Sequence, residues 1–186
     1  MTRLFPSMRA FLVSVIAIIG LIGPHLAAAA DEPMIDQDSE AALKSLYDGS
    51  AGAKALGDKA KGILVFPNIV KAGFIVGAQT GDGELLINGK SAGYYNTSAV
   101  SFGLQAGVQS FGYVLFFMND KVLNDFRNSK NFQIGVGPTI VVIDAGKAKD
   151  LNTLTAKSDV YAMIFDQKGL MAGLGLQGTK ITKLGR

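Results

Sequence analysis

Glycine alternates with bulky apolar side chains along much of this chain, and no other feature narrows its fold so far. In residues 101–109, Phe102, Leu104, Ala106 and Val108 fall on one face of an extended strand. Ser101, Gly103, Gln105, Gly107 and Gln109 fall on the other. Residues 169–177 repeat the texture, with Leu170, Ala172, Leu174 and Leu176 opposite Gly169, Met171, Gly173, Gly175 and Gln177. Glycine weakens a strand, so its repeated use there requires a sharp bend or another backbone lying close by. The pattern predicts a strongly curved sheet.

The N-terminus has a different character. Arg3 and Arg9 precede an almost wholly apolar run at 10–23, Pro24 breaks it, and Ala28, Ala29 and Ala30 offer a small-residue cleavage site before Asp31. This is the layout of a secretory signal peptide. The run is shorter than the ~20 residues of a spanning helix. Residues 1–30 are therefore expected to be removed, leaving an exported protein, periplasmic or secreted. Loss of Arg3 and Arg9 lowers the net charge from +3 to +1. A nucleic-acid partner is not expected from so small a charge, and any electrostatic partner must be met by a local patch.

Missing residue types exclude several chemistries. The single histidine, His25, lies in the leader, and the chain has no cysteine and no tryptophan. A Ser-His-Asp triad, a thiolate nucleophile and the usual zinc sites are unavailable to the mature chain. No cofactor and no metal are expected. The carboxylates Asp82, Glu84, Asp120, Asp125, Asp144 and Asp166 mostly stand at turns and helix starts, where such residues cap and initiate. The glycines at 73–83 lack the Gly-Lys-Ser/Thr ending of a phosphate loop. The chain is expected not to be an enzyme.

Periodicity sets out the elements. Residues 31–38 read as a flexible lead-in and Ser39 as the cap of an N-terminal helix, with Ala42, Leu43, Leu46 and Tyr47 at helical spacing. A strand at 62–67 is expected to stop at Pro67. A second spans 72–79, with a turn at 80–83 and a returning strand at 84–87. Asn88-Gly89 is another turn signal. Tyr94 and Tyr95 open an irregular segment before the strand at 101–109, and an aromatic strand follows at 110–118. Asn119 or Asp120 caps a short helix that points Val122, Leu123 and Phe126 inward. Strands are expected at 132–143, 159–166 and 169–181, with a polar loop at 145–158 and a turn at 167–168. The fold class is α+β and β-rich: a strongly curved or barrel-like antiparallel sheet of about eight strands, with an N-terminal helix and one short helix packed against it. Residues 39–186 are expected to form a single domain.

Lysine is the one basic type placed suggestively. Lys54, Lys59 and Lys61 precede the first strand, Lys71 follows Pro67, Lys90 lies in a turn and Lys180 near the end. A rim shared by Lys59, Lys61, Lys71, Lys90 and Lys180 would form a phosphate-binding surface.

Several motifs occur in a fixed order: AKGILVFP at 60–67, VKAGF at 70–74, GDG at 81–83, GYYNTS at 93–98, VSFGLQAG at 100–107, IGVGP at 134–138, SDVY at 158–161, and KGLMAG at 168–173 with LQG at 176–178. Together they resemble the SYLF domain, also called DUF500, in its bacterial, exported, single-domain form. The resemblance implies a phospholipid or membrane surface as partner, with Lys61 and Lys71 best aligned to family motifs. It implies no catalytic residue. Tyr94-Tyr95 stands where eukaryotic members tend to have a Trp-Ser pair, the segment before Ala60 is less basic than theirs, and no SH3 or FYVE module is seen. Actin binding is therefore not expected. The function implied is non-enzymatic phospholipid binding in the cell envelope, lysines meeting head groups. The alternative is an interaction module for another envelope protein.

Overall fold

The computed structural model describes residues 31–102, 107–135, 140–145, 158–169, 176 and 178–185. The leader, the centre of the 101–109 segment, the loop at 146–157 and most of 170–177 lie outside them, so the expectations placed there are neither supported nor opposed.

Two helices come first, α1 (Glu32–Gly49) and α2 (Ala51–Gly57). Then follow β1 (Gly62–Gly73), β2 (Val76–Ile87), β3 (Lys90–Phe102), β4 (Gly107–Phe117), α3 (Asp120–Asn128), β5 (Asn131–Gln133), β6 (Ile140–Asp144), β7 (Val160–Gly169) and β8 (Lys180–Lys183). The eight strands form one curled, half-barrel sheet in the order β5-β8-β3-β2-β1-β4-β7-β6. All pairings are antiparallel except β6 with β7, which is parallel. The β-rich α+β class is as the sequence predicts.

The helical layer starts earlier than expected. Residues 32–38, read as a flexible lead-in, are the first turns of α1, with Pro33 at its start, a position that tolerates proline because its N–H has no helical acceptor. Ile35 is buried, and Asp36 accepts a 2.9 Å hydrogen bond from the Tyr94 hydroxyl. Ser39 is no cap. It is buried inside α1, its hydroxyl without a partner among the described residues. The chain breaks instead at Gly49 and Ser50, where Ser50 Oγ accepts from the Ala53 amide at 3.2 Å and starts α2. In α3 the expected cap is present, Asn119 Oδ1 accepting from the Val122 amide at 2.9 Å.

Glycine and proline act differently from a turn-based reading. Pro67 does not end β1, which runs on to Gly73 with a register shift against both neighbours around Pro67 and Asn68. The GDG segment is no turn but the middle of β2. A Cβ on Gly81 would lie 2.5 Å from the Asn68 carbonyl oxygen, and one on Gly83 would lie 2.2 Å from that of Val65. These two glycines let the irregular part of β1 press onto β2. The first hairpin turns instead at Phe74 and Ile75, where Gly73 pairs with Gly77. The Asn88-Gly89 turn is as expected, both residues having positive φ (53° and 71°), the conformation that a tight two-residue hairpin requires.

Four further expectations change. Tyr94 and Tyr95 lie within a strand, β3, just after a register shift against β2. The 101–109 segment is divided between the end of β3 and the start of β4, which are separated in the sheet by β2 and β1. The single strand expected at 132–143 is two strands, β5 and β6, on opposite edges. β7 continues through Gln167 and Lys168, where a turn was expected.

Apolar packing fills both faces unevenly. The inner face carries Leu64, Phe66, Leu85, Tyr113, Leu115 and Ile181, and α3 closes the end of the curl nearest Gly62, Ile87 and Phe117. There the Phe126 ring meets Tyr95, Phe117 and Phe132 at centroid distances of 4.9, 4.8 and 5.2 Å. On the outer face Leu46, Ala53 and Leu56 of α1 and α2 pack on Val65, Val114, Phe116 and Met163. These helices cover only the half of the sheet near α3.

Candidate functional site

Two places stand out. The first is a cleft of about 630 Å³ between α1 and the near ends of β2 and β3. Its wall is acidic: Asp36, Glu40, Asp48 and Glu84 face Lys44 and Lys54. Both lysines are already engaged, Lys44 with Asp48 at 2.6 Å and Lys54 with Asp58 at 2.9 Å. A phosphate is repelled here rather than bound.

Glu84 is the buried member, 3% exposed. Burial raises its carboxyl above the ordinary glutamate range; a hydrogen bond with Ser91 opposes this, and Asp36 and Glu40 add to it. The folded chain thus keeps a proton that the unfolded chain releases above about pH 4.5. Glu84 therefore favours folding below that pH, and the contribution is lost as pH rises through the folded-state value. Glu84→Gln is expected to melt above the parent at neutral pH and level with it below pH 4.5. A series of thermal melts across pH checks this, and a constant gap at every pH would contradict it.

Three of the other candidate carboxylates have partners among the described residues. Asp82 accepts from the Asn96 amide at 2.7 Å, Asp125 pairs with Lys121 at 2.6 Å, and Asp144 accepts from Gln167 at 2.9 Å. Asp120 sits in the first turn of α3 and Asp166 at a positive-φ position. Among the described residues no cluster of three or more metal-ligating side chains occurs.

The second place is the far end of the sheet, at the β1–β2 turn. Phe74 is 72% exposed, Val100 and Val108 each 64%, and Ile75 and Val76 also stand in solvent. Registers align them. On the outer face Val108, Ala72, Ala78 and Val100 form one row across β4, β1, β2 and β3, and Val76 stands opposite Phe102. The inner face beside that row is polar: Lys71 is flanked by Gln109 and Gln79. All three are buried, Gln79 donating to Thr179 at 3.4 Å and Gln109 Oε1 having no partner among the described residues.

The five lysines do not share a rim. Lys59, Lys61 and Lys90 lie at the near end, beside α2 and the Asn88-Gly89 turn. Lys71 is ten residues along β1 from Lys61, about 33 Å for an extended chain, and its side chain is turned inward. Lys180, on β8, pairs with Ser98 on the outer face towards the far end. Sequence reading missed Phe74, Ile75, Val76, Val100 and Val108, and also Lys168, which pairs with Ser110. One signal was available: no charged residue occurs between Lys90 and Asp120, or from Ala72 to Gly81.

A curled β-rich half-barrel, acidic on its helical side and apolar at its bare end, thus defines the class of protein. Residues 98–185 match the family model described as "Ysc84: Las17-binding protein actin regulator". That domain and SYLF are the same, so residues 98–185 are similar to a SYLF domain, and the family's description is regulatory rather than enzymatic. Similar proteins include the SH3 domain-containing YSC84-like protein 1 of Rattus norvegicus, 27% identical over 126 residues that make up 65% of this chain and 37% of the rat protein. The proteins of the same name from Bos taurus and Homo sapiens are 26% and 25% identical over the same length. The chain therefore spans little more than a third of the curated relatives that it matches.

Proposed function

We propose that this chain is a non-enzymatic phospholipid-binding protein of the cell envelope, exported after cleavage near Ala30, whose uncovered sheet end docks on bilayers. The observation that carries this reading is the group Phe74, Ile75, Val76, Val100 and Val108, held exposed at the end that α1 and α2 leave bare. A contiguous apolar surface on a folded chain marks a place of interaction. Lipid is favoured as occupant because the flanking cations Lys168 and Lys180 point to an anionic surface. No helix among the described residues is long and apolar enough to cross a membrane. Of the five lysines expected at the site, this reading keeps Lys180 and sets Lys71 behind the apolar row.

Flotation of the purified protein with vesicles of phosphatidylcholine and phosphatidylglycerol tests the reading. Co-flotation at low salt that weakens as salt is raised is expected. Absence of binding to every phospholipid mixture sinks it.

The family's description favours a second reading, a module that meets another protein. Las17 and actin belong to the description of that family, and for this chain a protein partner is the alternative to lipid. Co-sedimentation with filamentous actin, together with failure to float on any vesicle, would move the conclusion to that reading.

A further inference from the structure

We infer that the far end of the sheet enters one leaflet strands first, as a shallow wedge: the outer faces of β1–β4 meet acyl chains, and a row of three hydroxyls and Val70 bounded by Lys168 and Lys180 lies at the head groups. This rests on the phospholipid reading above and assigns each row of side chains to a layer of the bilayer.

The registers supply the rows. Lys168 pairs with Ser110, Ser110 with Val70, Val70 with Thr80, Thr80 with Ser98, and Ser98 with Lys180. Directly paired residues share a face, so this row crosses six neighbouring strands on the outer face with a lysine at each end and no acid between them. It spans about 24 Å at the usual strand spacing. Two residues further out comes the Val108, Ala72, Ala78 and Val100 row, then Val76, and at the turn Phe74 and Ile75. Charge and hydroxyl thus give way to aliphatic and then aromatic side chains along one direction, the profile of an interface crossed from water to hydrocarbon.

The inner face follows the opposite rule. Gln109, Lys71 and Gln79 lie opposite one another within the curl. Apolar outside and polar inside is the alternation of strands that face lipid, and it reverses the arrangement at the other end of the same strands, where Leu64, Leu85 and Leu115 point inward. Backbone groups of the wedge pair between β1 and both its neighbours as far as Gly73, so side chains rather than open N–H and C=O groups of these pairs meet the lipid.

Dimensions limit the depth. From the Val70 row to Phe74 is four residues, about 13 Å along a strand, whereas the hydrocarbon core is about 30 Å thick. The wedge reaches into one leaflet and does not span. Its geometry also holds the acidic cleft of α1 at the opposite end of the sheet, away from an anionic surface.

The chain has no tryptophan, so a single introduced indole reports depth without background. Phe74→Trp, Val100→Trp, Thr80→Trp and Lys59→Trp are to be compared on phosphatidylcholine–phosphatidylglycerol vesicles whose acyl chains carry bromine. All four sites are solvent-exposed, and Ile75→Trp replaces Phe74→Trp should that variant fail to melt cooperatively. Quenching and blue shift are expected to be greatest for Phe74→Trp, smaller for Val100→Trp, slight for Thr80→Trp and absent for Lys59→Trp. Lys168→Glu with Lys180→Glu is expected to weaken binding by about twentyfold or more on these vesicles, taking about fivefold for each lysine, with no change on phosphatidylcholine alone. A protein that floats but is quenched most at Lys59→Trp, or not at all at Phe74→Trp and Ile75→Trp, overturns the wedge and leaves phospholipid binding standing. Binding to anionic vesicles unchanged by the double glutamate variant overturns the assignment of the lysine row. A protein that does not float overturns the phospholipid reading, and the wedge with it.

Discussion

Replacing Phe74 and Ile75 together by aspartate is expected to abolish vesicle binding while leaving the fold intact. Both side chains stand mostly in solvent, 72% and 57% exposed, and they support no part of either apolar cluster. Surface changes of this kind usually move stability by no more than about 0.5 kcal/mol. Burying a large apolar side chain is worth about 1.5–3 kcal/mol, so removing two from an inserted tip forfeits about 4 kcal/mol. With about 1.4 kcal/mol per tenfold, the partition coefficient falls by roughly three orders of magnitude, before the cost of placing two carboxylates near lipid. Flotation titrations beside thermal melts measure both quantities. Parent-like binding by a folded double variant would remove the tip from the account.

The largest expected loss of stability lies elsewhere, at Gly83. A Cβ there would stand 2.2 Å from the Val65 carbonyl oxygen and 2.5 Å from a Phe66 ring carbon. The ring could turn aside, but the carbonyl belongs to a strand held on both sides, so β1 or β2 must shift. Overpacking of this kind costs about 1–3 kcal/mol, and a backbone obstacle places Gly83→Ala at the upper end. For a domain of this size that is a fall in Tm of roughly 10 °C. Gly49→Ala is the control: no atom lies within 4 Å of the added carbon, and alanine suits a helix better than glycine. Differential scanning calorimetry of the two variants decides. Equal melting temperatures would show that the approach of β1 to β2 at this point does not constrain the sequence.

These two sites show how far the residues alone could be read. The Asn88-Gly89 turn and the Asn119 cap were legible because each is settled within a few residues. The inward face of α3 was legible for the same reason, since Val122, Leu123 and Phe126 recur at helical spacing. Gly81 and Gly83 were misread as a turn. The same residue type serves a bend and a close approach, and only the neighbouring strand tells which. Pro67 was misread for a related reason: its lost N–H is accommodated at an irregularity of β1 rather than by ending the strand. The mobile lead-in assigned to residues 31–38 overlooked Ile35 and Asp36, whose partners are distant in sequence. The lysine rim failed because spacing along a chain says little about which end or face of a twelve-residue strand a side chain occupies.

The candidate site carries the clearest division. Alternation by itself determined that Val76, Ala78, Val100 and Val108 each lie on the face opposite to Gly77, Gln79, Ser101 and Gln109, because side chains of a strand point alternately to its two sides. The absence of charge across these stretches was equally plain in the sequence. Which side is covered was decided only by the tertiary structure. α1 and α2 end before they reach β1's second half, so the apolar row that would be core at one end of the sheet is bare at the other. A period of two specifies that two faces differ, while the position of the next layer specifies which of them meets water, protein or lipid.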